Sequence, residues 1–143
     1  MNILVISGPN LNMLGKRDPK LYGTLTLSEL YEMITDKFPK HEFTFYQSNY
    51  EGELIDVLQN SISEPYDALL INPGALTHTS IALRDTLEIM TIPKVEVHLS
   101  NIDEREPFRQ VDYIKDVVNA RFMGKKVESY FEAIQYLLQL KKS

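Results

Sequence analysis

Between Ala68 and Asp85 the chain reads ALLINPGALTHTSIALRD, and this stretch limits the possible folds more than any other. Ala68-Leu69-Leu70-Ile71 is an unbroken apolar run. A strand with one face in water alternates apolar and polar residues. A short run without alternation is a strand buried on both faces, which needs helices on both sides of its sheet. Asn72-Pro73-Gly74 ends the run with a sharp turn signal. Thr77, Thr79 and Ser80 are N-cap candidates ahead of Leu83, Leu87 and Met90, which recur at helical spacing. The polar groups Asn72, Thr77, His78 and Ser80 crowd the point where a buried strand meets a helix N-terminus. Open α/β sheets bind ligands there.

The rest of the chain repeats the pattern. Asn2 to Ser7 holds Ile3-Leu4-Val5-Ile6, a second central strand, and breaks at Gly8-Pro9-Asn10. Leu11 to Gly23 is a long irregular connection of the kind that forms lids and binding loops. Thr26-Leu27-Ser28-Glu29 is a capping box. Leu27, Leu30, Tyr31, Ile34 and Phe38 follow on one helical face, with Pro39 just beyond. Glu42 to Tyr46 alternates, placing Phe43 and Phe45 on one face of a more exposed strand. A helix carrying Leu54, Val57, Leu58 and Ile62 comes next. After the Ala68–Asp85 unit, Val95 to His98 is a fourth strand and Leu99 to Pro107 a polar loop. A short helix is expected over Asp112 to Val118, a fifth strand over Ala120 to Met123, and a final helix over Val127 to Leu140 with Val127, Phe131, Ile134 and Leu138 on one stripe. Strand and helix alternate five times without repeat or linker. One α/β domain over residues 1–143 is expected, with a five-stranded parallel sheet in the flavodoxin-like order 2-1-3-4-5. That order makes strands one, three and four neighbours and gathers Asn10, Asn72 and His98 at one crevice.

Composition narrows the function. With 143 residues the chain is too short for a (β/α)8 barrel of ~250. A net charge of −5 with interspersed signs argues against nucleic acid as a partner. The absence of cysteine excludes disulfides, thiolate metal sites and a cysteine nucleophile. No apolar stretch approaches the ~20 residues of a membrane span, and the N-terminus lacks the pattern of a signal peptide. A cytoplasmic protein is expected.

Several side chains could carry chemistry, and each has a plainer reading. Glu96 and His98 share one face of their strand, so the carboxylate can hold the imidazole and favour imidazolium, making His98 a general acid. The same pair serves equally as a structural ion pair. His78, near the helix start, suits a neutral hydrogen-bonding role, because the helix dipole disfavours imidazolium; a local capping contact is the alternative. A metal bound by His78 and His98 lacks an acidic cluster at ligand spacing, and none is expected. His41 sits among surface charges and is read as solvated. Asn10, Asn12 and Asn72 fit turn chemistry taken singly and ligand binding taken together. Gly8-Pro9-Asn10-Leu11-Asn12 lacks the spacing of a phosphate loop. Arg17 and Tyr22 share the lid-like loop. A free tyrosine titrates near ~10, and an adjacent guanidinium favours the phenolate, a possible general base; most of the 8 tyrosines are structural. Arg105 and Arg109 flank Glu106-Pro107-Phe108 and could aim planar donors into the crevice or sit solvated beside Glu106. The backbone of Leu99 to Asn101 could bind a carboxylate as a nest. The sum suits acid–base chemistry on a small, hydroxylated, anionic molecule.

GPNLNMLGKRDPKLYG, QSNYEGELID, INPGALTHTSIALRD and VEVHLSNIDEREPFR, in this order from Asn2 to about Arg109, closely resemble the type II 3-dehydroquinate dehydratases. The resemblance implies a flavodoxin-like hydro-lyase that converts 3-dehydroquinate to 3-dehydroshikimate by anti elimination through an enolate. It places the chain in the shikimate pathway of aromatic amino-acid biosynthesis or in quinate catabolism, with no cofactor and no Schiff base. It implies a homododecamer built as a tetramer of trimers. By resemblance Tyr22 is the base, Arg17 its activating partner, Asn10 the holder of a water on the enolate oxygen, His98 the acid and Glu96 its orienting group. Asn72, His78 and Arg109 match binders of ring hydroxyls, the backbone of Leu99 and Ser100 a carboxylate site, and Asp85 a residue that reaches a neighbouring subunit's site. By the same resemblance, Asp112 stands where serine is common and Ala120, Lys126 and Ser129 stand where glycine is usual, while Gly124 and Tyr130 remain. These departures are expected to lie away from the catalytic motifs and to bear on local backbone and assembly. Two other readings compete: a flavodoxin-like phosphate or nucleotide binder, which would need the missing phosphate loop, and a dead scaffold, which would lack Tyr22, Arg17 or His98.

Overall fold

Residues that cannot face water on either side belong in the middle of a sheet, and the two unbroken apolar runs are there. In the computed structural model, which describes residues 1–142, β1 (Asn2–Ser7), β2 (Glu42–Gln47), β3 (Ala68–Asn72), β4 (Lys94–His98) and β5 (Ala120–Met123) form one parallel sheet in the order β2-β1-β3-β4-β5. Successive side chains of a strand point to opposite faces. Ile3, Val5, Leu70 and Val97 therefore pack under Leu30 and Ile34 of α2 (Leu27–Lys37; the one-turn α1 is Pro19–Tyr22) and under Ile134 of the last helix. Leu4, Ile6, Leu69 and Ile71 pack on the other side under α3 (Glu51–Ser61) and α4 (Ile81–Ile89). Each fully buried Leu or Ile contributes about 1.5–3 kcal/mol, so both helical layers are held by the strands between them. β2 is the exposed edge that its alternation predicts.

The helix starts follow the capping signals. Thr26 Oγ1 accepts from the Glu29 N–H and the Glu29 carboxylate accepts from the Thr26 N–H, both at 3.1 Å. Of the three cap candidates after β3, Ser80 is the one used: its Oγ accepts from the Leu83 N–H at 2.9 Å.

Four expectations need correction. The lid segment is not wholly irregular. It contains a 3-10 turn over Leu11–Met13 and the one-turn α1, started by Asp18 as cap and Pro19 at the first helical position. No helix forms over 112–118. The Asp112 carboxylate takes the N–H groups of Ile114 and Lys115 as a helix cap would, but the segment continues only as bends and turns, and Ile114 is drawn into the core beneath α4. On α5 (Val127–Lys142) the fully buried stripe runs through Tyr130, Ala133, Ile134 and Leu137, rotated from the expected Val127–Leu138 line because the helix packs against both the sheet and α2. His41 is half-buried, with Nδ1 3.0 Å from the Met1 amino group.

Two glycines let the first and third strands end against each other. A Cβ on Gly8 would sit 2.3 Å from the Pro73 carbonyl oxygen, and one on Gly74 (φ 60°) 2.8 Å from that of Pro9. The Gly8 N–H donates to the Asn72 carbonyl at 2.8 Å and locks the two turns into the floor of a crevice.

Candidate active site

The carboxyl ends of β1, β3 and β4 open onto one crevice. Asn10, Asn72 and His98 line it, as the strand order requires, together with His78, Leu99, Ser100 and Arg109. The lid brings Arg17 and Tyr22 to the same space. Glu96 lies behind His98 and does not line the crevice, and Asn12 stays outside it. Asp85 is exposed on α4 and does not reach the crevice of its own chain.

The Tyr22 hydroxyl is the most heavily solicited group. Arg17 Nη2 and Arg105 Nη1 each donate to it at 2.7 Å, and the Arg17 guanidinium also lies 3.8 Å above the ring centroid. Two charged donors thus meet one phenolic oxygen, an arrangement fitted to an oxygen that carries negative charge. Arg105 is a partner that sequence reasoning left behind in favour of Arg109. It lies 83 residues from Tyr22, and only the pairing of the two arginines in one loop signalled it. Arg109 is held by Glu106 at 3.2 Å.

On the same crevice, His98 Nε2 is 2.5 Å from Glu96 Oε2, leaving Nδ1 as the ring nitrogen not engaged by the carboxylate. Thr77 Oγ1 donates to the same Glu96 oxygen at 2.9 Å. Burial pushes the Glu96 carboxyl up and the His98 imidazole down, to about 4. The carboxylate does not by itself offset burial, contrary to the expectation of an imidazolium near neutral pH. Both directions favour a shared proton with little net charge across the 2.5 Å contact.

His78 sits at the end of a 3-10 turn over Gly74–His78, and its Nδ1–H donates to the Val111 carbonyl at 2.7 Å. Its imidazole is lowered chiefly by burial rather than by a helix dipole, so it is a neutral ring with Nε2 free to accept. Asn72 is fixed at both ends: Nδ2 donates to the Tyr130 hydroxyl at 2.9 Å, and Oδ1 accepts from the Gly74 N–H at 3.1 Å. One Nδ2 hydrogen remains for a ligand. Asn10 is held in the left-handed region (φ 70°), its N–H donating to Asn49 Oδ1 at 3.0 Å.

Asp112 is the largest surprise. Far from lying apart from the catalytic motifs, it is buried, and a carboxylate oxygen of Asp112 comes within 4.8 Å of both Glu96 and His98. An acidic cluster does stand beside His98, which the sequence spacing did not show. It is poorly arranged for an ion: the Glu96 and His98 donor atoms are already in contact, and Asp112 Oδ2 already accepts from the positively charged Arg121 at 3.0 Å. Lys126 (φ 53°) also touches the site's surroundings, its N–H donating to the Leu99 carbonyl at 3.0 Å, while the buried Ser129 hydroxyl accepts from the Lys125 N–H at 2.9 Å. The last turn therefore braces the Leu99–Ser100 segment.

The family model for dehydroquinase class II matches residues 1–138. The chain is 47% identical over 139 residues to the 3-dehydroquinate dehydratase of Thermotoga petrophila, covering 96% of this chain and 94% of that protein. It is 44% identical to the 3-dehydroquinate dehydratase of Herminiimonas arsenicoxydans, covering 96% and 97%. The crystal structure of a type II dehydroquinase from Butyrivibrio crossotus matches with a TM-score of 0.93 at 43% identity, over 96% of this chain and 97% of that one. Matched by the family model over nearly its whole length and alike in fold, the chain belongs to the class II dehydroquinase family.

Proposed function

We propose that this dehydroquinase converts 3-dehydroquinate to 3-dehydroshikimate by stepwise proton transfer between its own side chains and the substrate. The observation that carries the reading is one crevice lined both by Tyr22, its oxygen meeting two guanidinium groups, and by His98 backed by a buried carboxylate. Tyr22, as phenolate, takes the proton next to the ketone. The electron pair moves onto the carbonyl oxygen as an enolate, and Asn10 holds a water against that oxygen. His98 then gives its proton to the departing hydroxyl at C1. The C–O bond breaks, water leaves and the enone forms. Asn72, His78 and Arg109 hold the ring hydroxyls and the backbone of Leu99 and Ser100 the carboxylate. The steps need only proton transfer, for which these groups suffice.

Assembly as trimers within a dodecamer is part of the same reading. It is supported by α4, where Ile81, Asp85 and Ile89 recur every fourth residue on one exposed stripe, both isoleucines more than half exposed. An apolar stripe around a carboxylate suits a neighbouring subunit, to whose crevice Asp85 would reach.

The test follows the absorbance of the product's conjugated enone carboxylate after mixing with 3-dehydroquinate. Tyr22→Phe is expected to fold normally and lose nearly all turnover. Near-normal kcat in that variant would remove Tyr22 as the base. Inactivation by borohydride in the presence of substrate would replace the enolate route with a Schiff base.

A further inference from the structure

The chain between β4 and β5 carries Asp112 inward behind His98. Asp112 is held from two sides: Oδ1 accepts the N–H groups of Ile114 and Lys115 at 2.9 and 3.0 Å, and Oδ2 accepts from Arg121 Nη1 at 3.0 Å. Arg121 stands beside Glu96 across the β4–β5 register. The remaining side of Asp112 faces Glu96 and His98. There, Glu96 Oε1 is fully buried and has no hydrogen-bond partner among the described residues, although Oε2 of the same carboxylate has two. A buried carboxylate with one bare oxygen beside a second buried carboxyl is a place for a proton.

We propose that Asp112 is a positioning residue for proton delivery by His98, a second buried carboxylate that acts through Glu96 to keep the Glu96–His98 pair loaded with its proton at neutral pH. The proposal rests on the reading of His98 as the acid. A carboxyl beside a neutral imidazole and a carboxylate beside an imidazolium contain the same number of protons, so the pair is loaded in either form. Discharge leaves a carboxylate beside a neutral imidazole. Negative charge on Asp112 opposes that discharge. It acts on His98 against burial, in the same sense as Asp103, while Arg121 and Arg105 act in the opposite sense. His78 faces the same group from the 3-10 turn and is a neutral neighbour. The Asp112 carboxyl is itself pushed up to about 6, by burial first and by Glu96 second. It is therefore mostly ionised at neutral pH, and on acidification it takes up a proton that it can offer to the bare Glu96 oxygen. Interacting groups this close titrate as one unit. Asp112 does not line the crevice, so its influence falls on the pH dependence of kcat rather than on KM.

The experiment is an NMR titration of the His98 ring nitrogens in the whole protein, beside the pH profile of kcat, for Asp112→Asn, Asp112→Ser, Asp112→Glu and Arg121→Gln. Removing the negative charge with Asn or Ser is expected to move the His98 midpoint and the alkaline limb of kcat to lower pH by about one unit, with KM unchanged. Arg121→Gln removes a positive charge, leaves Asp112 in place and moves both to higher pH. Asp112→Glu restores the charge and returns both toward the parent. A merely structural Asp112 would lower Tm in these variants and leave the midpoints where they are; that result overturns the proposal. A moved His98 midpoint with an unmoved kcat limb also overturns it, and locates the failure in the reading of His98 as the acid rather than in the coupling.

Discussion

Arg105→Met removes one of the two charged donors from the Tyr22 oxygen and keeps a side chain of similar length. Its Nη1 lies as close to that oxygen as Arg17 Nη2 does, 2.7 Å in each case, so neither donor is secondary by geometry. A hydrogen bond to a charged group contributes about 1.5–3 kcal/mol, and each 1.36 kcal/mol is tenfold in rate, so kcat/KM is expected to fall about 10- to 150-fold. Arg17 stays in place, which keeps the loss below that of Tyr22→Phe. The other contact of Nη1, to Ser100 Oγ, is 3.4 Å long and carries little of this energy.

The decisive assay is a double-mutant cycle read by enone absorbance in the parent, Arg105→Met, Tyr22→Phe and the double variant. If Arg105 works through the phenolic oxygen, phenylalanine leaves it nothing to act on, and its loss costs almost nothing further. If Arg105→Met lowers the residual rate of Tyr22→Phe by the same factor as it lowers the parent's, Arg105 acts on the substrate directly and the argument from two donors on one oxygen is refuted.

Tyr130→Phe strips the acceptor from an Asn72 N–H in a site only 3% exposed. An orphaned buried donor costs about 1–3 kcal/mol, so Tm is expected to fall and KM to rise together; an unchanged Tm and KM would show that Asn72 needs no anchor. Asp85→Ala is expected to raise KM or to reduce the sedimenting mass, and if both stay at the parent's values Asp85 has no part in a neighbouring site.

What the sequence made legible follows from which contacts are periodic. The strands were readable because burial on both faces erases alternation, as in Ile3–Ile6 and Leu69–Ile71, and their order followed from the helical crossovers. Glu96 and His98 were readable as a pair because a strand repeats every two residues. Asn72 was readable as a site residue, but not its anchor: Tyr130 sits 58 residues away on α5, and no spacing links a helix residue to a strand end across a packed layer. The lid hid α1 because Asp18-Pro19 marks a helix start followed by only a few residues.

Asp112 shows why the rest was not readable. A lone acid between Val111 and Tyr113 reads as the start of a surface helix, since Asp is a good cap and is seldom buried unpaired. Its burial becomes tolerable only because β5 delivers Arg121 to one side and the 113–115 backbone delivers two N–H groups to the other. Those partners come from separate parts of the chain, and their convergence is a property of the β4–β5 register, which pairs Glu96 with Arg121. The position nevertheless carried a trace in the sequence, as a carboxylate where the resemblance leads one to expect serine. A small neutral hydroxyl and a carboxylate have opposite requirements behind a buried Glu–His pair, because the carboxylate must share a proton or face a cation. Charge at a position where a family commonly keeps a neutral group is therefore worth tracing to the titratable groups its strand neighbours bring.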